Sequence, residues 1–74
     1  MITMENLTKV DSSMVYAIGY DSNTKDLDVV FNTGNIWIYR DVPQNVYKEL
    51  LNSRSVGTFM LNNIIDYYKE YKTN

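Results

Sequence analysis

The chain contains neither cysteine nor histidine, and that absence narrows its options before any pattern is read. At 74 residues it makes a single domain, 1–74, whose folding hides only a little over about 60% of the surface the unfolded chain exposes, so one modest core is all it can build. Chains this small often lean on a staple. Disulfides are impossible here, and a zinc site built from carboxylates alone would be unusual, so neither a metal nor a cofactor is expected. Oligomerisation is the support that remains.

The same absence weighs against catalysis. No histidine base and no cysteine nucleophile exist, serine nucleophiles normally need a partner base, and Asp21, Asp26 and Asp28 sit in or beside a loop where solvated charge is the plain reading. Three glycines leave no Gly-rich phosphate loop. A binding module rather than an enzyme is therefore the expectation. With 45% hydrophobic and 22% charged residues the chain is globular rather than disordered. A formal charge of -2 provides no basic field for long nucleic acid, although a compact nucleotide remains open. No signal peptide, bilayer-spanning run or lipidation motif is seen, so the expected location is the cytoplasm, without a membrane partner.

Along the chain, the opening MITMENLTKV, with apolar Ile2, Met4, Leu7 and Val10, reads as a short edge strand or a docked arm. Val15 to Tyr20 is rich in strand formers, and the polar loop DSNTK follows. Leu27, Val29 and Phe31 then alternate with Asp26, Asp28 and Val30 at the period of a half-buried strand. NTGN turns the chain into Ile36 to Arg40. The fold class is α+β: an antiparallel meander of three strands, four if the opening segment pairs, followed by two α-helices.

Two registers are open at the NTGN turn. A two-residue Thr33-Gly34 loop pairs Phe31 with Ile36 and turns Trp37 and Tyr39 outward. A type I turn at Asn32-Thr33 with Gly34 as a left-handed bulge shifts the pairing by one and puts Trp37 and Tyr39 in the core with Leu27, Val29 and Phe31. The second is preferred, because glycine accepts positive φ without penalty and threonine does not. In either register the second sheet face keeps apolar residues beside Val30, which a subunit interface or a ligand would cover.

Asp41-Val42-Pro43 marks a helix start, and Val46, Tyr47, Leu50 and Leu51 recur at helical spacing until about Asn52. Ser53 and Ser55 are candidate caps for a longer helix over about 58–72, whose face would carry Met60, Leu61, Ile64, Ile65, Tyr68 and Tyr71. Tyr67, Tyr68 and Tyr71 would make a stripe on it, better suited to packing or self-association than to stacking. Seven tyrosines fit either a small core or a binding surface.

Candidate ligand contacts gather at element ends. Arg54, Ser55 and Gly57 precede the second helix, whose free N–H groups attract anions, though Ser55 as a plain N-cap and Gly57 as a close-packing residue is the simpler reading. Ser12 and Ser13 flank the first strand, where a turn role is equally natural. Trp37 and Tyr39 have the rings to stack a base, yet core positions suit them better in so small a domain. Arg40 ends the strand and would pair with Asp28 or contact an anion, a solvated surface arginine being the simpler reading.

The order of VDSSMVYAIGYD, LDVVFNTGNIWIYRDVP and VYKELLNSRSVGTFMLNNI resembles the KTSC family, named from a domain at the C-terminus of some lysyl-tRNA synthetases. The likeness runs from about Val10 to Tyr68. It rests on Ser12-Ser13, Gly19-Tyr20-Asp21, Gly34, the aromatic pair about Ile38, Val42-Pro43, Val46-Tyr47 and Ser55-x-Gly57. It adds Asn63 to the candidate contacts. Trp37-Ile38-Tyr39 stands where the family carries Tyr-x-Tyr, while Met60, Leu61 and Ile65 replace an aromatic, an asparagine and an arginine; Arg54 is the nearest substitute for that arginine. The synthetase context implies RNA binding, and small stand-alone members occur in bacteria and phages.

Together these point to a homo-oligomeric, non-catalytic binder of a nucleotide-like or other small anionic ligand. In type the chain is similar to phage proteins that sequester nucleotide immune signals in the bacterial host cell. An RNA-binding accessory domain and a protein-interaction module are the alternatives.

Overall fold

The structure, a computed structural model, describes residues 7–73. Five strands lie in one antiparallel sheet in sequence order: β1 Thr8–Lys9, β2 Val15–Asp21, β3 Asp26–Phe31, β4 Ile36–Tyr39 and β5 Glu70–Lys72. Two helices, α1 Gln44–Asn52 and α2 Val56–Phe59, are inserted between β4 and β5, and α2 runs on into a π-helical turn at Met60–Ile64. The α+β class and the meander stand as expected, with two additions at the edges. The opening segment contributes β1, as one of its two readings had it; Ile2 and Met4 lie outside the described residues. No helix of the described residues is long and apolar enough to cross a membrane.

The β3–β4 turn takes the bulged form. Gly34 has φ 94°, its N–H donates to the Phe31 carbonyl at 2.9 Å, and Leu27 pairs with Tyr39 and Val29 with Trp37. A Cβ at that φ would be strained, which is why glycine decides the register. Opposed residues share a face, so Leu27, Val29, Trp37 and Tyr39 all point to one side. A bulge between Val15 and Ala17 puts Val15 on that side too, opposite Phe31, while Tyr16 is left 40% exposed.

The helices close over this face. Val15, Ile18, Leu27, Val29 and Tyr39 of the sheet form one cluster with Val42, Leu50 of α1, Val56 of α2, and Met60 and Ile64 of the π turn. The Pro43 carbonyl accepts from Val46 N–H at 3.0 Å and Tyr47 N–H at 3.2 Å, so the proline sits at the N-cap, where its missing donor costs nothing. Tyr47 in turn stacks on Tyr20 with centroids 4.6 Å apart, and the Tyr20 hydroxyl donates to the Val42 carbonyl. One aromatic pair thereby ties β2 to α1 and to the connection before it.

The tail departs from expectation. A helix was expected over about 58–72, but helical geometry stops at Ile64. Ile65 is already extended, with ψ 127°, and Asp66 takes φ 71°. The chain then returns as β5, pairing Trp37 with Lys72, Ile38 with Tyr71 and Tyr39 with Glu70. Asparagine, isoleucine, aspartate and tyrosine are all middling helix formers, so little local preference opposes pairing with the open edge of β4. The tyrosine stripe goes with the helix: Tyr67 is 66% and Tyr71 41% exposed, while Tyr68 packs on the core. Burial, followed by the charge of the nearby Glu70 carboxylate, holds the Tyr39 hydroxyl well above the ordinary tyrosine range.

Candidate functional site: a cleft beside Trp37

The segment before β2 organises one end of the molecule. Ser12 Oγ accepts from Met14 N–H at 3.1 Å and Val15 N–H at 3.2 Å, a side-chain turn that launches the strand. Asn32 reaches across, its Nδ2 donating to the Ser12 carbonyl at 3.0 Å and its backbone N–H to the Met14 carbonyl at 2.9 Å. Gly57 of α2 lies directly on this segment. A Cβ there would fall 3.3 Å from Met14 Cβ and 3.5 Å from Ser12 Oγ. Glycine at 57 is thus a close-approach residue, and Ser12 is engaged in structure.

Beside this junction lies a shallow cleft of about 420 Å³. Trp37, Phe31 and Met14 wall it, and Ser13, Asn32, Thr33 and Asn35 form a polar rim. Among the described residues its lining offers rings, hydroxyls and amides but no carboxylate, amine or thiol. Such a surface stacks and hydrogen-bonds flat polar groups.

Of the sequence candidates, Ser13 and Trp37 meet in this cleft, and the others lie apart from its lining. Tyr39 is 1% exposed, so it packs in the core and presents no ring to a ligand. Arg40 is 49% exposed, and its Nε lies 2.9 Å from Asp26 Oδ1, so its carboxylate partner is Asp26 and not Asp28, which was one of its open readings: Leu27 opposite Tyr39 brings Asp26 level with Arg40. Arg54 and Asn63 are exposed, and Asn63 Nδ2 donates to the Phe59 carbonyl at 3.4 Å. Ser55 Oγ accepts from Thr58 N–H at 3.2 Å and bonds Thr58 Oγ1 at 2.9 Å, a cap rather than a free hydroxyl. Ser55→Ala is expected to cost about 1 kcal/mol, lowering Tm by about 4–8 °C in a circular dichroism melt. The rim residues Asn32, Thr33 and Asn35 were read only as a turn; the register that faces Phe31 and Trp37 together was the signal that this turn borders a pocket.

The model of the KTSC domain matches residues 11–68. The chain belongs to the KTSC domain family. A protein of Tsukamurella paurometabola is similar to this KTSC domain, 38% identical over 51 residues that cover 69% of this chain and 76% of that one. The crystal structure of a KTSC domain protein from Yersinia pestis superposes with a TM-score of 0.90 at 25% identity, covering 92% of this chain and 96% of that one. The likeness in fold therefore takes in most of the chain.

Proposed function

We propose that this KTSC domain is a non-catalytic binding module for a nucleotide-like ligand whose planar group sits in the Trp37 cleft. The observation that carries this is the pairing of an aromatic wall with a rim of amides and hydroxyls in a space of about 420 Å³. That volume is within the roughly 300–1,000 Å³ of small-molecule sites. Trp37 and Phe31 supply faces for stacking, and Asn32, Asn35 and Ser13 supply donors and acceptors for a base edge. With no cation among the described residues of the lining, a phosphate would point outward to solvent. A module of this kind works by holding its ligand in the cytoplasm; in a phage it would withdraw a nucleotide signal from the host's defence.

Calorimetric titration of the full chain with cyclic and linear nucleotides tests the reading. Binding by at least one of them is expected, stabilising the fold by about 2.7 kcal/mol at a hundredfold excess over Kd. Trp37→Ala is expected to abolish binding, and Asn35→Ala, at the rim, to weaken it about tenfold while leaving Tm nearly unchanged. Absence of binding by every nucleotide, or full affinity in both variants, would overturn the proposal. Tight binding of short single-stranded RNA that collapses with added salt would replace it with the RNA reading.

A further inference from the structure

The sheet face turned away from the helices carries its own pattern. Cross-strand pairing sets Val30 beside Ile36, and Asp28 beside Ile38 and Tyr71; Asp26 and Arg40 follow at the end. None of these belongs to the core cluster or packs against it. Charge crosses the face unevenly: β3 contributes the carboxylates of Asp26 and Asp28, and Arg40, the residue after β4, contributes a guanidinium. Arg40 is 49% exposed and approaches Asp26 Oδ1 through Nε, yet that buried oxygen accepts no hydrogen bond. A guanidinium carries five N–H donors, so most of the donor capacity of Arg40 is still unused.

We propose that a second copy of the chain docks on this face, sheet against sheet, about a two-fold axis running parallel to the strands between β3 and β4. Such an axis lays β3 of one protomer over β4 of its partner. Val30 and Ile36 then cover the same two side chains of the partner in reversed order, Asp28 lies over the partner's Ile38, and Asp26 meets the partner's Arg40. Acidic strand and basic strand exchange places across the axis, so the face is complementary to itself in charge as well as in apolarity. Five strands at a spacing of about 4.8 Å give a contact roughly 20 Å wide, which puts the interface near the lower end of specific contacts at about 1,000 Å² in total. The dimer is accordingly a concentration-dependent one. Trp37 and Phe31 face the opposite side of the sheet, so this inference stands independently of the ligand reading.

Sedimentation velocity of the full chain over a wide concentration range reads the assembly. The wild type is expected to pass from monomer to dimer, and Val30→Lys, which sets an ammonium over apolar Ile36, to stay monomeric with its circular dichroism spectrum intact; Val30→Thr serves if the lysine variant fails to fold. Arg40→Glu and Asp26→Lys should each weaken the dimer at least about tenfold. An equimolar mixture of those two should restore it, because each new charge then faces its opposite across the axis. A wild-type monomer at every concentration, wild-type dimerisation in the Val30 variants, or a mixture no tighter than its components would overturn the proposal. A monomer strongly destabilised by Val30→Lys would overturn it too, because the face would then be covered within one chain.

Discussion

Tyr39→Ala is expected to leave this domain at or below the threshold of folding. The ring is 1% exposed, lies between Leu27 on β3 and Glu70 on β5, and belongs to the cluster that joins sheet and helices. Truncating a buried aromatic costs about 3–5 kcal/mol, and a chain of this length has only about 4–11 kcal/mol to lose. The hydroxyl is a separate matter, its pKa raised first by burial and then by the nearby Glu70 carboxylate. Tyr39→Phe keeps the ring, so it should fold with an unchanged denaturant slope. The expected ranking is a phenylalanine variant close to wild type, and both far above a largely unfolded alanine variant. An alanine variant that unfolds at the wild-type midpoint but no longer binds ligand would make Tyr39 a ligand residue and contradict its place in the core.

Removal of residues 66–74 is the second large effect. The tail donates Arg40 N–H a partner in the Lys69 carbonyl at 2.8 Å, and Thr73 N–H bonds the Ile36 carbonyl at 2.9 Å. Without β5, the sequence IWIY of β4 becomes an unprotected edge with its backbone groups unpaired and Trp37 and Tyr39 uncovered. Lost strand hydrogen bonds at about 1 kcal/mol each, together with the exposed rings, should lower stability by at least about 3 kcal/mol. A flat apolar edge also recruits other edges. The truncated chain is expected to aggregate on purification, read by light scattering and by loss of a cooperative melt. If residues 66–74 merely continued a solvent-facing helix, the trimmed chain would stay soluble and melt close to the wild type, and that outcome would contradict the strand.

The tail is also where reading from residues alone fell short, and the reason is local. Ile64, Ile65, Tyr68 and Tyr71 satisfy a helical period, but β-branched and aromatic residues serve a strand equally well. What decides is the free edge of β4, a tertiary fact with no trace in nearby sequence. The β3–β4 turn is the opposite case. Gly34 is the residue there that takes positive φ cheaply, so one position selected the register and with it the inward side of Trp37 and Tyr39. Helix starts were legible for similar reasons, through Pro43 and the Ser55 cap. At the site, Trp37 and Ser13 were visible as chemistry-bearing residues, whereas their meeting depended on how β2, β3 and the turn fold together. Ser55 and Gly57 carried recognisable types, yet their groups are spent on a cap and a close approach.

The placement of both helices between β4 and β5 bears on the order in which the molecule assembles. Strands β1 to β4 pair with neighbours in sequence across short turns, so they close quickly and locally. The partner of β4 on its other side arrives only after the whole helical segment has been folded back, and closing a long loop costs entropy that nearer contacts do not incur. Refolding should therefore pass through an interval in which β4 is bordered on one side only, and the duration of that interval, more than the strength of the finished sheet, sets how much chain is lost to misassociation on the way.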